Sequence, residues 1–281
     1  MDQLKIITVA DPMMGLLWET WPIHRKLETH FGEQISFGTL MGQLVKDVYG
    51  LVDQEILSRY GKTVALNQYW VKLMQIYLQE ERLTGMPIQM GTNERLFDEN
   101  HTSSLPLDRG LRAIAKSNAE LEDQVLYELQ YDTVVENKQT NDINYLTKLA
   151  ANFKIDKNKF SANYKSVNLN QEMNIMSQLK ISQLPAYIVT YGDKSYVIKG
   201  LPKYSEWVDM ITKISQGNLK SRKVTFNKEM VLDFIKIHPH ISSLELKEAF
   251  DLSDEQEVIR ILEDTDLKTK KIKKTIFYSL K

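Results

Sequence analysis

From the amino terminus, apolar and polar positions follow first a strand period and then a helical one. Leu4 to Val9 is rich in β-branched residues and reads as a buried strand ending in a turn at Asp11-Pro12. Leu16 to Phe31 carries apolar residues at helical spacing, and Gly32 supplies a left-handed C-cap. Gln34 to Leu40 sets Ile35, Phe37 and Thr39 against polar neighbours, a second strand. Strand, helix and strand joined by so short a crossover predict a parallel pair.

A long helical stretch follows, from Leu44 to about Leu83, with Val48, Leu51, Val52 and Ile56 and then Tyr69, Leu73, Ile76 and Tyr77 on its apolar face. Gly85-Met86-Pro87 breaks it. Further helices are expected over Pro106 to Lys116, Leu121 to Val135, Ile143 to Phe153, Lys157 to Tyr164 and Asn170 to Leu179. Asn141 or Asp142 caps the third of these and Asp156 the fourth. Ala186 to Thr190 and Ser195 to Lys199 read as a hairpin turning at Tyr191 to Lys194, and Lys203 to Ser215 as a closing helix. The order is therefore β-α-β, a helical stretch, then β-β-α. A helical middle of this length, about 44–180, is too long for a loop and must form a subdomain inside an α/β domain spanning 1–215.

Residues 216–224 are polar and contain glycine, a linker. The remainder, 225–281, predicts helices at Lys228 to Ile237, Leu244 to Phe250 and Asp254 to Asp264, the last opened by a Ser253/Gln256 capping box. The basic run Lys268 to Lys274 and an alternating strand at Thr275 to Tyr278 complete it. Three helices and a hairpin-like end read as a winged-helix-like module.

Composition narrows the chemistry. With 281 residues, 42% of them hydrophobic, the chain can bury a large core. A net charge of −1 gives it no overall field toward nucleic acid or anionic lipid. It contains no cysteine, which excludes thiol–disulfide exchange, a disulfide scaffold and a thiolate metal site. No segment approaches the roughly 20 apolar residues that span a bilayer. The start, with Asp2 and a short apolar run, lacks the pattern of a secretory signal, so a cytoplasmic location is expected.

Three local features carry a family likeness. Asp11-Pro12-Met13-Met14-Gly15-Leu16-Leu17-Trp18 resembles the Asp-Pro-x-Cys-x-x-Cys-Trp turn of the DsbA family, with Met14 and Leu17 at the two cysteine positions. Gly85-Met86-Pro87-Ile88, followed by Thr102 to Pro106, resembles the segment leading into the insertion helices of cytoplasmic members. Leu184-Pro185, just before a strand, resembles the loop whose proline is cis in that superfamily. The likeness covers about Lys5 to Ser215 and implies a thioredoxin-like fold with a helical insertion. It does not bring the family's redox activity. Exchange needs a thiolate favoured by a helix N-terminus and a second thiol to resolve the mixed disulfide, whereas Met14 has no ionisable proton and Leu17 no sulfur.

The expected function is therefore that of a non-redox protein- or peptide-binding or adaptor protein. Its degenerate groove is formed by Asp11, Pro12, Met13, Met14, Leu16, Leu17, Trp18, Leu184 and Pro185. Methionine adapts to varied apolar partners, and this fold holds extended peptides at its sheet edge. The bland alternative is that the same residues only fill the core. A glutathione-dependent transferase or isomerase of the kappa type, or a vestigial oxidoreductase homologue, is the rival; the former carries a serine where Met14 stands. No cofactor or metal is expected. His24 and His30 are six apart, on different helix faces, and read as surface residues; His238-Pro239-His240 lacks a neighbouring ligand. Asp11 and Glu19 could pair as acid and base only if the fold brings them together. The Asp254 to Asp264 helix has Arg260 as its one cation among many carboxylates, which argues against nucleic acid.

Overall fold

The computed structural model describes residues 3–89, 91, 94–224 and 226–281. Strand β1 (Leu4–Ala10) lies parallel to β2 (Ile35–Met41), with Leu4 opposite Ile35 and Ala10 opposite Met41. The hairpin β3 (Ala186–Tyr191) and β4 (Lys194–Lys199) joins antiparallel on the other edge of β1, giving the order β2-β1-β3-β4. β1 is interior to the sheet, and Leu4 and Ile6 on one face and Val9 on the other are buried in separate clusters, while Lys5 is exposed.

The helix expected over Leu16 to Phe31 is broken into α1 (Gly15–Trp18) and α2 (Trp21–Phe31). Pro22 has no N–H to donate to Trp18, so the ladder cannot run through. The long stretch after β2 is likewise interrupted. A loop with a short 3₁₀ turn at Val48–Gly50 leads to α3 (Gln54–Tyr60), and Gly61, at φ 82°, separates it from α4 (Lys62–Glu80). The remaining insertion helices form close to where their periodicity puts them: α5 (Leu105–Ala115), α6 (Glu122–Gln130), α7 (Ile143–Asn152), α8 (Lys157–Ser166) and α9 (Asn170–Gln178). A π turn at Tyr131–Val135 extends α6. Asp142 and Asp156 cap α7 and α8 through their side chains. Helix α10 (Tyr204–Ile214) closes the sheet layer, Trp207 and Ile211 packing with Leu27 and Phe31 of α2.

The carboxyl-terminal elements are α11 (Lys228–Ile237), β5 (His240–Ser242), α12 (Ser243–Ala249), α13 (Glu255–Leu262), β6 (Lys268–Ile272) and β7 (Thr275–Ser279). Their sheet has the order β5-β7-β6. β5, only three residues long, is absent from the sequence pattern. The cap of α13 is Asp254, which accepts from Glu257 N at 2.9 Å, rather than the expected Ser253. A one-residue shift of this kind is common where two capping side chains are adjacent.

These elements do not stand apart. Leu244, Ile272 and Phe277 belong to the main core together with Met13, Trp18 and Trp21, while a separate cluster around Ile235, Leu246 and Phe250 holds the module itself. Residues 216–224, expected as a linker, lie against the α/β layer. Leu219 is buried beside Trp207, Arg222 N donates to His30 O at 2.7 Å, and Gln34 exchanges two hydrogen bonds with the Lys220 backbone. Among the described residues no helix is long and apolar enough to cross a membrane.

Candidate functional site

The turn after β1 is fixed by Asp11. Its carboxylate accepts from Met13 N at 3.0 Å, Leu44 N at 2.9 Å and Ser104 Oγ at 2.6 Å, tying β1 to the segments after β2 and before α5. Met14 is the N-cap of α1 in an extended conformation and caps it with no side-chain bond, since a thioether is a poor acceptor. Its sulfur lies 3.4 Å from Asp11 N. Above the helix start sits the last turn of α4. Tyr77 donates its hydroxyl to Met13 O at 2.5 Å, and a Cβ on Gly15 would meet Tyr77 at 2.8 Å and collide with the Glu80 carboxylate.

Met13, Met14, Leu17 and Trp18 are 2, 7, 4 and 0% exposed, and Asp11, Pro12 and Pro185 are buried as well. Leu16 and Leu184 are half-buried. The Leu184–Pro185 bond is cis, and Leu184 packs on the same apolar cluster as the turn. The fold thus brings the nine residues singled out from the sequence into one region, but seven of them face inward. The apolar surface left at this place is Leu16, Leu184 and Leu44, the last 44% exposed.

Trp18 shows why. Its indole N–H donates to Pro87 O at 3.1 Å, its ring lies 5.1 Å from Tyr127, and Phe277 of β7 stacks on it at 6.2 Å and 16°. The carboxyl-terminal hairpin therefore covers the back of the turn. Beside this stack, Glu245 of α12 is wholly buried and accepts from Tyr127 Oη at 2.6 Å, Ser242 N at 2.9 Å and Arg25 Nε at 3.4 Å. Arg25 also meets Asp123 at 3.0 Å and Glu28 at 3.3 Å. Two of the five lysines of the basic hairpin are held too: Lys270 reaches Glu136 and Lys273 reaches Glu81, each at 2.6 Å.

Several carboxyls near the turn have unusual surroundings. Burial pushes Asp11 up from its ordinary value against the pull of its three donors. Burial, reinforced by the neighbouring charge of Asp11, pushes Asp108 well up against the pull of the Gln43 backbone N–H. Glu80 and Glu19 are each pushed up by burial to about 7. Asp11 and Glu19 do not meet: Glu19 turns instead to Thr84 and Gly85, at 3.1 Å from both backbone N–H groups. A proton-transfer pair is not assembled.

The histidine expectation needs correction. His30 is 5% exposed, hydrogen-bonded to Tyr204 Oη at 2.8 Å, because its helix face is roofed by α10 and the 216–224 segment. His238 is also buried and meets Glu28 at 2.8 Å, while His240 meets Glu128 at 2.9 Å. These carboxylates come from the insertion and α2, so no local spacing could announce them. Among the described residues no group of three or more His, Asp or Glu side chains is placed to hold a metal ion. Sequence reasoning missed Tyr77, Glu80, Asp108, Glu245 and Phe277. The apolar periodicity of α4 did mark Tyr77 as inward-facing, but nothing local pointed it at the turn.

No family model and no curated relative matches the sequence. Solved structures do match. A candidate protein disulfide isomerase from Nitrosomonas europaea aligns with TM-score 0.60 at 17% identity, over 77% of this chain and 99% of its own. The cytosolic disulfide reductase DsbM from Pseudomonas aeruginosa gives 0.57 at 16%, over 75% and 99%. A protein assigned as a DsbA oxidoreductase from Streptomyces coelicolor gives 0.53 at 15%, over 79% and 94%. At these identities the likeness establishes the fold: a DsbA-type thioredoxin-like fold, in a chain without a cysteine.

Proposed function

We propose that this chain is a non-redox binding protein that engages a protein or peptide partner at the rim of the degenerate turn. The observation that carries the reading is the state of Met14 and Leu17. Both are buried, packed side chains at the start of α1, so the place where this fold can activate a thiol holds no reacting group. Thiol chemistry is absent there, while the apolar rim of Leu16, Leu44 and Leu184 beside the cis-proline loop remains accessible. The groove expected from the sequence is thereby reduced to its edge: Met13, Met14, Leu17 and Trp18 support the rim from beneath.

The carboxyl-terminal order of helix, strand, helix, helix, strand and strand supports reading 225–281 as a winged-helix module. Its role in this account is to brace the turn. Lys270 and Lys273, two lysines a wing would offer to phosphate, already pair with Glu136 and Glu81. The neighbour DsbM supports a cytosolic location.

Replacement of Leu44 or Leu184 by aspartate tests the binding role. Both side chains are at least partly exposed, so the variants are expected to fold and to lose the partner that the wild-type chain retains. Partner binding unchanged in both would sink the reading. Saturable glutathione binding that weakens in Met14→Ala would instead favour the transferase-like alternative.

A further inference from the structure

The edges of the sheet β2-β1-β3-β4 are treated differently. On the outer side of β2, Thr39 N donates to Glu122 at 3.1 Å, Met41 N donates to Glu172, and Thr39 O accepts from Arg112 at 2.7 Å. Side chains of the insertion thus occupy the places that another strand would take. β4, at the other end of the order, pairs with β3 alone. Its register settles which backbone groups face out. Tyr191 and Lys194 pair across the turn, and Gly200 N donates to Pro185 O at 3.0 Å. Lys194, Tyr196 and Ile198 therefore turn their N–H and C=O groups to β3, whereas those of Ser195, Val197 and Lys199 point away from it. An open edge of this kind accepts an extended segment as an added strand.

Charge narrows what the edge accepts. From Asn174 to Ser205 the chain carries Lys180, Lys194, Lys199 and Lys203, all exposed, against the single acid Asp193. The next acid, Glu206, is turned back onto Lys203 N at 2.7 Å. The lysines flank both faces of the strand: Val197 shares a cluster with Met176 and Ile181 beside Lys180, and Ile198 shares one with Tyr204 beside Lys203. A second copy of the chain laid on the same edge would double the lysines along it, so like charges disfavour self-pairing. We propose that the β4 edge takes up an extended acidic segment of a partner protein, which adds a strand through Ser195, Val197 and Lys199 and sets its carboxylates beside these lysines. This mode of binding uses backbone groups and lysines rather than Leu16, Leu44 or Leu184, and stands or falls independently of the rim of the degenerate turn.

The probe is the peptide acetyl-Glu-Glu-Val-Thr-Val-Glu-Glu-amide, carrying a fluorophore and titrated with the full chain by anisotropy at low salt. Wild type is expected to bind it about tenfold more tightly than the same peptide with glutamine for glutamate, the joint effect of several exposed ion pairs. N-methylation of the three central residues removes the N–H groups that a strand must donate and should abolish binding. In the chain, Val197→Pro deletes one outward donor and leaves the ladder to β3 intact, which an edge strand tolerates, and should weaken binding about tenfold. Lys194→Glu combined with Lys199→Glu alters only exposed side chains; it should weaken the glutamate peptide and spare the glutamine one. Thermal midpoints confirm that both variants fold. Equal affinity for the glutamate and glutamine peptides, retained binding of the N-methylated peptide, unchanged binding in either folded variant, or no binding at millimolar concentration would each overturn the proposal. So would a concentration-dependent dimer in sedimentation that Val197→Pro dissolves, since the edge would then belong to a second copy.

Discussion

Replacing Glu245 by alanine probes the joint between the carboxyl-terminal module and the rest of the chain. Glu245 is wholly buried and accepts from Arg25, Tyr127, Ser242 N and Ser242 Oγ. Truncation removes one partner of a buried ion pair, a loss of about 3–5 kcal/mol when the remaining charge has no compensation. Arg25 keeps Asp123 and Glu28, which places this contribution at the lower end. The capping box of α12 is lost as well, worth about 1 kcal/mol, and the Tyr127 hydroxyl is left buried without its acceptor at about 1–3 kcal/mol. These effects share atoms and do not add in full, so a net loss of about 4 kcal/mol is expected.

With a urea slope of about 3 kcal/mol/M, that loss lowers the midpoint by about 1 M. The assay is tryptophan fluorescence, and its value lies in where the tryptophans are. Trp18, Trp21, Trp70 and Trp207 all precede residue 216, so the signal reports the amino-terminal part and, through Trp18 alone of the four, the contact with Phe277. A shared core predicts that a change in α12 moves this signal in a single transition. The exposed Glu229→Ala on α11 serves as the control and should leave it in place. If Glu245→Ala leaves the tryptophan midpoint where it was, the module is not coupled to the turn and the bracing argument fails.

Other consequences can be read more briefly. Gly15→Ala drives a methyl into Tyr77 and Glu80 and should cost about 1–3 kcal/mol in thermal or urea melts, against no change for a Gly50→Ala control whose Cβ meets nothing. Phe277→Ala empties the face of Trp18 and should cost about 3–5 kcal/mol while altering near-ultraviolet circular dichroism; native-like dichroism would contradict the stack. Burial raises Glu80 to about 7, above its unfolded value of 4.5, so the folded chain holds a proton that the unfolded chain has released between those pH values. Its contribution to stability therefore falls as pH rises from about 4.5 to 7 and stays low above that. Glu80→Gln should flatten that part of the stability–pH curve and exceed wild type at pH 8; a curve parallel to wild type would refute the burial argument.

Much of the fold was legible because its signals are local. The β-branched runs of β1 and β3, the Gly192-Asp193 hairpin and the caps Asp142 and Asp156 declare themselves within a few residues. The cis-proline loop and the Asp11 turn were legible through their resemblance to a family. What stayed hidden depends on contacts far apart in sequence. Phe277 reaches Trp18, Glu245 reaches Arg25 and Tyr77 reaches Met13, and no period or spacing encodes those meetings. Hence the patch that reads from sequence as either a groove or core filling is mostly interior, and His30, which reads as a surface residue, lies under a roof. The break at Pro22 is visible in sequence, since a proline in the second turn of a helix begun at Leu16 leaves Trp18 O without its donor.

The most direct test of the binding role is photo-crosslinking in cells from a reactive amino acid at Leu44, with the same probe at Lys116 as the remote control. The account predicts one or two discrete adducts formed from position 44, absent from position 116 and lost when Leu184→Asp is combined with the Leu44 probe. An adduct pattern at position 44 that matches the Lys116 control, or that survives Leu184→Asp unchanged, would contradict it.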